Sequence, residues 1–150
     1  MSQRFPFVGA VYAFIIEAEQ VLLARRINTG YCDGEYGVPA GHLDGGESVY
    51  AGLCRELAEE VGIVVDPSDL TVVHVMQRRL RDGHERFDVF LRVLRYQGTV
   101  TNTEPHKCDE VRFFPLTALP QNMIPYVQTA LQLSLRGEYF SVEGYHESRT

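Results

Sequence analysis

The sequence predicts a single α/β domain spanning residues 1–150, with a mixed sheet and helices on both faces. Three observations point there: strand-like apolar runs are interleaved with two stretches of helical periodicity, no segment repeats another, and no low-complexity linker divides the chain. A domain of this length buries roughly 68–70% of its unfolded surface, so it folds without a metal or disulfides, and any metal serves chemistry.

Residues 8–16 are apolar and rich in β-branched and aromatic types, and residues 21–24 repeat that character after a polar break, so the two read as a hairpin. Residues 27–35, punctuated by Asn28-Thr29-Gly30 and Asp33-Gly34, read as a long loop, a kind usually functional or mobile in so small a domain. Residues 48–61 read as a helix, with Val49, Leu53, Leu57 and Val61 on one stripe and Gly62 as the stop. Residues 70–76 and 87–94 are strand-like around an Asp82-Gly83 tip, 111–114 form a short strand, and 126–135 close the chain as a helix.

With 20 acidic and 14 basic residues the formal charge is −6, which disfavours general binding to phosphate backbones; no stable nucleic-acid complex is expected. Cys32, Cys54 and Cys108 form no C-x-x-C pair, and no run of about 18 apolar residues occurs, so the chain reads as cytoplasmic and unanchored. The charge is unevenly placed. Residues 41–63 hold Asp44, Glu47, Glu56, Glu59 and Glu60 against Arg55 alone, a balance of −4, whereas the other 127 residues carry only −2.

Glu56, Glu59 and Glu60 stand at i, i+3 and i+4 on one helical face, where like charges repel, and in the last turn, where the helix dipole disfavours anions. A solvated acidic face is the ordinary meaning of such a run. Here both costs have a use, because clustered carboxylates attract hard divalent cations, Mg²⁺ first and Mn²⁺ as the alternative, which share their shell with phosphate oxygens. Arg55 is either a surface partner of Glu59 or a tether that reaches Glu47 and fixes the glycine-rich loop. Gly41, Gly45 and Gly46 allow sharp turns, and Gly52 inside the helix suggests close approach of a ligand or of neighbouring backbone.

Residues 41–63 match G-x5-E-x7-R-E-U-x-E-E-x-G-U at Gly41, Glu47, Arg55, Glu56, Leu57, Glu59, Glu60, Gly62 and Ile63, with chance odds on the order of one in a million or less. The chain therefore resembles the Nudix hydrolases, and residues 22–26 and 36–40 resemble that family too. The resemblance implies an α/β/α sandwich that uses Mg²⁺ to direct water at a pyrophosphate linkage. It makes Glu56, Glu59 and Glu60 metal ligands together with the main-chain carbonyl of Gly41. Arg55 orients the cluster through Glu47, and Glu47 and Gly62 are structural. Glu56, or a carboxylate downstream of the box, serves as base. Glu104 is the candidate for that downstream group, with Asp109 and Glu110 competing.

The substrate class follows by elimination. The proline that ADP-ribose pyrophosphatases carry about fifteen residues after the box is missing from residues 76–81, as is the tyrosine of dinucleoside polyphosphate hydrolases. What is left resembles the MutT-like branch, which converts nucleoside triphosphates, some of them oxidised, to monophosphate and pyrophosphate. ADP-ribose or a dinucleoside polyphosphate is the alternative substrate, and a non-catalytic nucleotide sensor the third reading. Of Arg25 and Arg26, one is expected to pair within the sheet and the other to hold a phosphate. Asn122 is either a reader of the base or a helix cap. Phe5, Phe7, Tyr12 and Phe87 read as core or as stacking surfaces for a base. Arg78, Arg79, Arg81 and Arg86 read as a solvated hairpin tip, or alternatively a phosphate clamp. The partner expected is a small-molecule nucleotide, with no membrane; homodimerisation, common in the family, has no exposed apolar stripe that demands it.

Overall fold

The computed structural model describes residues 3–146. The chain runs β1 (Val8–Phe14), β2 (Ile16–Glu17), β3 (Gln20–Arg26), β4 (Tyr36–Gly37), β5 (Ala40–His42), α1 (Val49–Val61), β6 (Leu70–Arg79), β7 (Glu85–Val93), β8 (Cys108–Pro115), α2 (Pro125–Leu135) and β9 (Phe140–Glu143). One sheet has the order β5-β1-β7-β6-β9, mixed because β1 runs parallel to β7 and β6 parallel to β9. A second, antiparallel sheet joins β2, β3, β4 and β8.

The unbroken apolar run of β1 is explained by burial on both faces. Ala10, Tyr12 and Phe14 pack on the α2 side, with Val127, Ala130 and Leu131, while Val11, Ala13 and Ile15 pack on the α1 side, with Leu53, Leu57 and Val61. The helices thus cover opposite faces, as the pattern predicts. The expected hairpin is corrected, because β1 spends its edges on β5 and β7 and only Ile16 and Glu17 pair with Val21 and Gln20.

That short turn places Ala18 and Glu19 at φ 49° and 61°, a left-handed pair that favours Asn and Gly. Ala18→Asn combined with Glu19→Gly is expected to stabilise the fold by about 1 kcal/mol, raising Tm by about 2–4 °C in thermal denaturation. An unchanged or lower Tm would show that the turn is not strained.

Helix α1 begins at Ser48, whose hydroxyl oxygen accepts from the Ala51 N–H at 3.1 Å, and ends at Gly62 with φ 69°. Strands β6 and β7 extend further toward their tip than the sequence suggests, to Arg79 and Glu85, which moves Arg78 and Arg86 out of the turn and into the sheet, directly opposite each other. The solvated-tip reading therefore fails for these two: Arg78 is only 6% exposed. Strand β9, absent from the sequence reading, is clamped by buried His74, whose ring nitrogens lie 2.7 Å from the Glu138 carbonyl and 2.7 Å from the Ser141 hydroxyl.

Candidate active site

The last turns of α1 lie beside β5, the edge strand of the larger sheet. Gly41 is needed there, because a Cβ on it would collide with the Glu56 carboxylate. Gly52 serves the same end one turn earlier: a Cβ would strike the Leu43 side chain, so the close neighbour is a loop side chain, not backbone or ligand.

Arg55 organises the acidic group. Its Nε and Nη2 donate to the two oxygens of Glu47 at 3.1 and 2.6 Å, and Nη1 donates to Glu56 at 2.8 Å. Nη2 also reaches the His42 carbonyl at 3.2 Å, while Glu59 lies 3.6 Å away as a looser ion pair. Glu47 in turn accepts from the Asp44 N–H at 2.7 Å, and Arg55 followed by that N–H holds its carboxyl below the usual carboxylate range. One guanidinium thus pins the glycine-rich loop to the helix and fixes Glu56.

Glu60 turns the other way, and its Oε2 accepts from the Ala40 N–H at 2.9 Å. Burial, and next the neighbouring Glu56, push its carboxyl up to about 8; Glu56 itself is raised by burial despite Arg55. Leu43 N–H donates to the Gly9 carbonyl and Ala13 N–H to the Pro39 carbonyl, so by antiparallel alternation Gly41 is the bonded partner of Val11, and Ala40 is the unbonded partner of Tyr12. The Gly41 carbonyl is therefore directed into the sheet, and the Ala40 carbonyl points off its edge on the side of Glu60. This corrects the ligand expected from the main chain: Gly41 supplies room, and Ala40 presents the free oxygen.

The loop after β7 is stitched to the end of α1. Thr103 N–H donates to the Glu60 carbonyl at 3.2 Å and Thr101 N–H to that of Val61 at 3.0 Å, while the Thr103 hydroxyl donates to the Glu59 carbonyl. These bonds satisfy helix-terminal carbonyls, and they bring Glu104 to the same cavity as Glu56, Glu59 and Glu60, near enough for its charge to raise Glu56 and Glu60. The competing residues point elsewhere. Asp109 takes a two-pronged bond from Arg25 at 2.8 and 2.7 Å, and Glu110 accepts from the Tyr36 hydroxyl at 3.0 Å.

The shared cavity has a volume of about 770 Å³. Its lining includes Arg26, Thr29 and Tyr31 from the end of β3 and the loop after it, and Tyr12, Arg86 and Tyr126, carried by β1, β7 and α2 inward of the β5 edge. Arg26 donates through Nε to the Tyr31 carbonyl at 2.8 Å. Asn122 lies outside the lining; its Nδ2 donates to the Gly34 carbonyl at 2.8 Å, and α2 starts at Ile124 without a side-chain cap, so neither expected role for the Asn122 amide is seen. The sequence reading missed Asp88, which is fully buried between Arg78 and Arg86; Arg86-x-Asp88 on one strand face was its only visible sign.

Among the described residues, no three carboxylate, histidine or cysteine side chains converge on one point. The donors are nevertheless all hard oxygens, and Glu60 is a desolvated carboxyl without an ion-pair partner among them, which suits a divalent cation better than a side-chain cation.

A family model described as the NUDIX domain matches residues 6–133. Among solved structures, the MutT NUDIX hydrolase from Burkholderia pseudomallei is similar at 25% identity and a TM-score of 0.78, over 85% of this chain and 98% of that one. The MutT protein from Methanosarcina mazei Go1 is similar at 21% identity and a TM-score of 0.73, over 90% and 97% of the two chains. The E. coli ORF135 protein is similar at 23% identity and a TM-score of 0.66, over 87% and 91%. The latter two likenesses are of fold.

Proposed function

The chain belongs to the NUDIX family and is a Nudix hydrolase, and from that premise we propose that it cleaves nucleoside triphosphates, normal or oxidised, to monophosphate and pyrophosphate with Mg²⁺ or Mn²⁺. The observation that carries this reading is one cavity lined by Glu56, Glu59, Glu60 and Glu104 together with cationic and aromatic side chains, Arg26, Tyr31, Arg86 and Tyr126 among them. Its volume lies within the roughly 300–1,000 Å³ of small-molecule sites.

Glu56, Glu59 and Glu60, with the Ala40 carbonyl, would hold the ion. Bound there, the ion supplies charge neutralisation for phosphate oxygens and makes water more acidic. Arg55 keeps Glu56 and the loop in place. Glu104, on a loop and paired among the described residues only with Lys107, 3.9 Å away, is the group free to take the proton of the attacking water. Arg26, facing the cavity, is the arginine placed to hold a phosphate, since Arg25 is committed to Asp109.

The test is incubation with Mg²⁺ and a panel of nucleoside triphosphates, oxidised deoxynucleotides, ADP-ribose and diadenosine polyphosphates. Pyrophosphate released from the triphosphates is the expected result. Exclusive cleavage of ADP-ribose or of a dinucleoside polyphosphate would replace the substrate class, and binding without turnover would make the domain a sensor.

A further inference from the structure

The part of the cavity lined by Tyr12, Arg86 and Tyr126, inward of the β5 edge, is built on a buried network that phosphate chemistry does not use. Asp88 accepts from Arg78 Nε and Arg86 Nε, each at 2.8 Å, and from the Tyr12 hydroxyl at 2.9 Å. A carboxylate has no proton to return, so the single hydroxyl proton of Tyr12 is committed to Asp88. The Tyr12 oxygen is left as an acceptor only. Arg86 Nη2 donates to it at 3.2 Å, and Tyr126 Oη, 3.0 Å away, must be the donor in that pair. The Tyr126 proton is thereby spent, and its oxygen has only lone pairs left for the cavity that it lines. Arg86, lining the same part, has only donors. Burial keeps both phenols neutral, raising Tyr12 well above its usual range and Tyr126 to about 12, so the direction of the chain persists across the working pH range.

We propose that Tyr126 Oη and the Arg86 guanidinium form an acceptor beside a donor that reads the edge of the substrate's nucleobase, selecting an edge with a hydrogen-bond donor next to an acceptor. This rests on the nucleotide reading of the cavity and assigns the base end of it. The ring of Tyr126 is held independently of its hydroxyl, with the Arg78 guanidinium carbon 3.6 Å from the ring centre. Tyr126→Phe therefore removes the reading oxygen and keeps the ring.

Steady-state kinetics of the full chain and of Tyr126→Phe would compare the four ribonucleoside triphosphates with purine riboside triphosphate, whose base lacks exocyclic donors. The wild type is expected to favour the natural bases, each of which presents a donor beside an acceptor, over purine riboside triphosphate, and Tyr126→Phe is expected to raise KM for the natural bases about tenfold, at nearly unchanged kcat. Its KM for purine riboside triphosphate stays as in the wild type, so discrimination collapses. A variant that keeps the wild-type base preference, or that loses activity evenly on every substrate, overturns this inference alone. Absence of any nucleotide turnover by the wild type overturns the nucleotide reading along with it.

Discussion

Glu60→Gln is expected to lower kcat on the order of a thousandfold, because a charged oxygen is taken from the metal site where phosphate charge must be offset. The same change is expected to leave the metal-free protein as stable as the wild type, or more so. In the unfolded chain this carboxyl ionises near 4.5, whereas the folded one retains its proton to about 8. Folding therefore takes up a proton between those values, and the carboxyl's contribution to stability is lost as pH rises from 4.5 to 8. Glutamine has no such loss, so its Tm advantage over wild type should widen from pH 5 to pH 8 and then level off. Divalent ions reverse the comparison, since they compete with that proton: wild-type affinity should weaken about tenfold per pH unit below 8. Circular dichroism melts with and without Mg²⁺ check both signs. Full activity in Glu60→Gln would remove Glu60 from the proposed metal site, and a Tm gap independent of pH would show that its carboxyl is not raised by burial.

Asp88→Ala is expected to cost about 3–5 kcal/mol, because it leaves two guanidinium groups facing each other across β6 and β7 without their shared counter-charge. Tm should fall by roughly 10 °C or more, measured by urea or thermal unfolding. Asp88→Asn keeps the shape and one acceptor, and should lie between. A loss below about 1 kcal/mol in Asp88→Ala would mean that the pair is solvated and that Asp88 does not organise Tyr12 and Tyr126.

What was legible in advance was what local spacing encodes. Ser48, the four-residue apolar stripe and Gly62 define α1, and the i, i+3, i+4 rule places its glutamates together. Pairing partners are not legible: a strand buried on both faces looks the same whichever neighbour it has, so the sequence pairs β1 with the near run of β3 although its neighbours are β5 and β7. Strand β5 has only three residues, too few to show a period, and the resemblance named Gly41 where register directs the Ala40 carbonyl outward. Strand β9 follows the last helix with exposed Phe140 and Val142, and its anchor, His74, gave no sign in a polar position of a strand. The Asp88 network depends on five positions, Tyr12, Arg78, Arg86, Asp88 and Tyr126, from four elements meeting, which no window of sequence displays.

The parallel pairing of β1 with β7 also orders events in time. Val8 meets Arg86 and Phe14 meets Arg92, so the larger sheet closes only after more than half of the chain is available. The contacts of β1 with β5, from Ala10 to His42 and Tyr12 to Ala40, span far less chain. Loop closure grows costlier with length, and long-range parallel pairs slow folding. On a ribosome, the glutamates of α1 would gather beside Gly41 early, while the base-reading end would be the last part of the cavity to form.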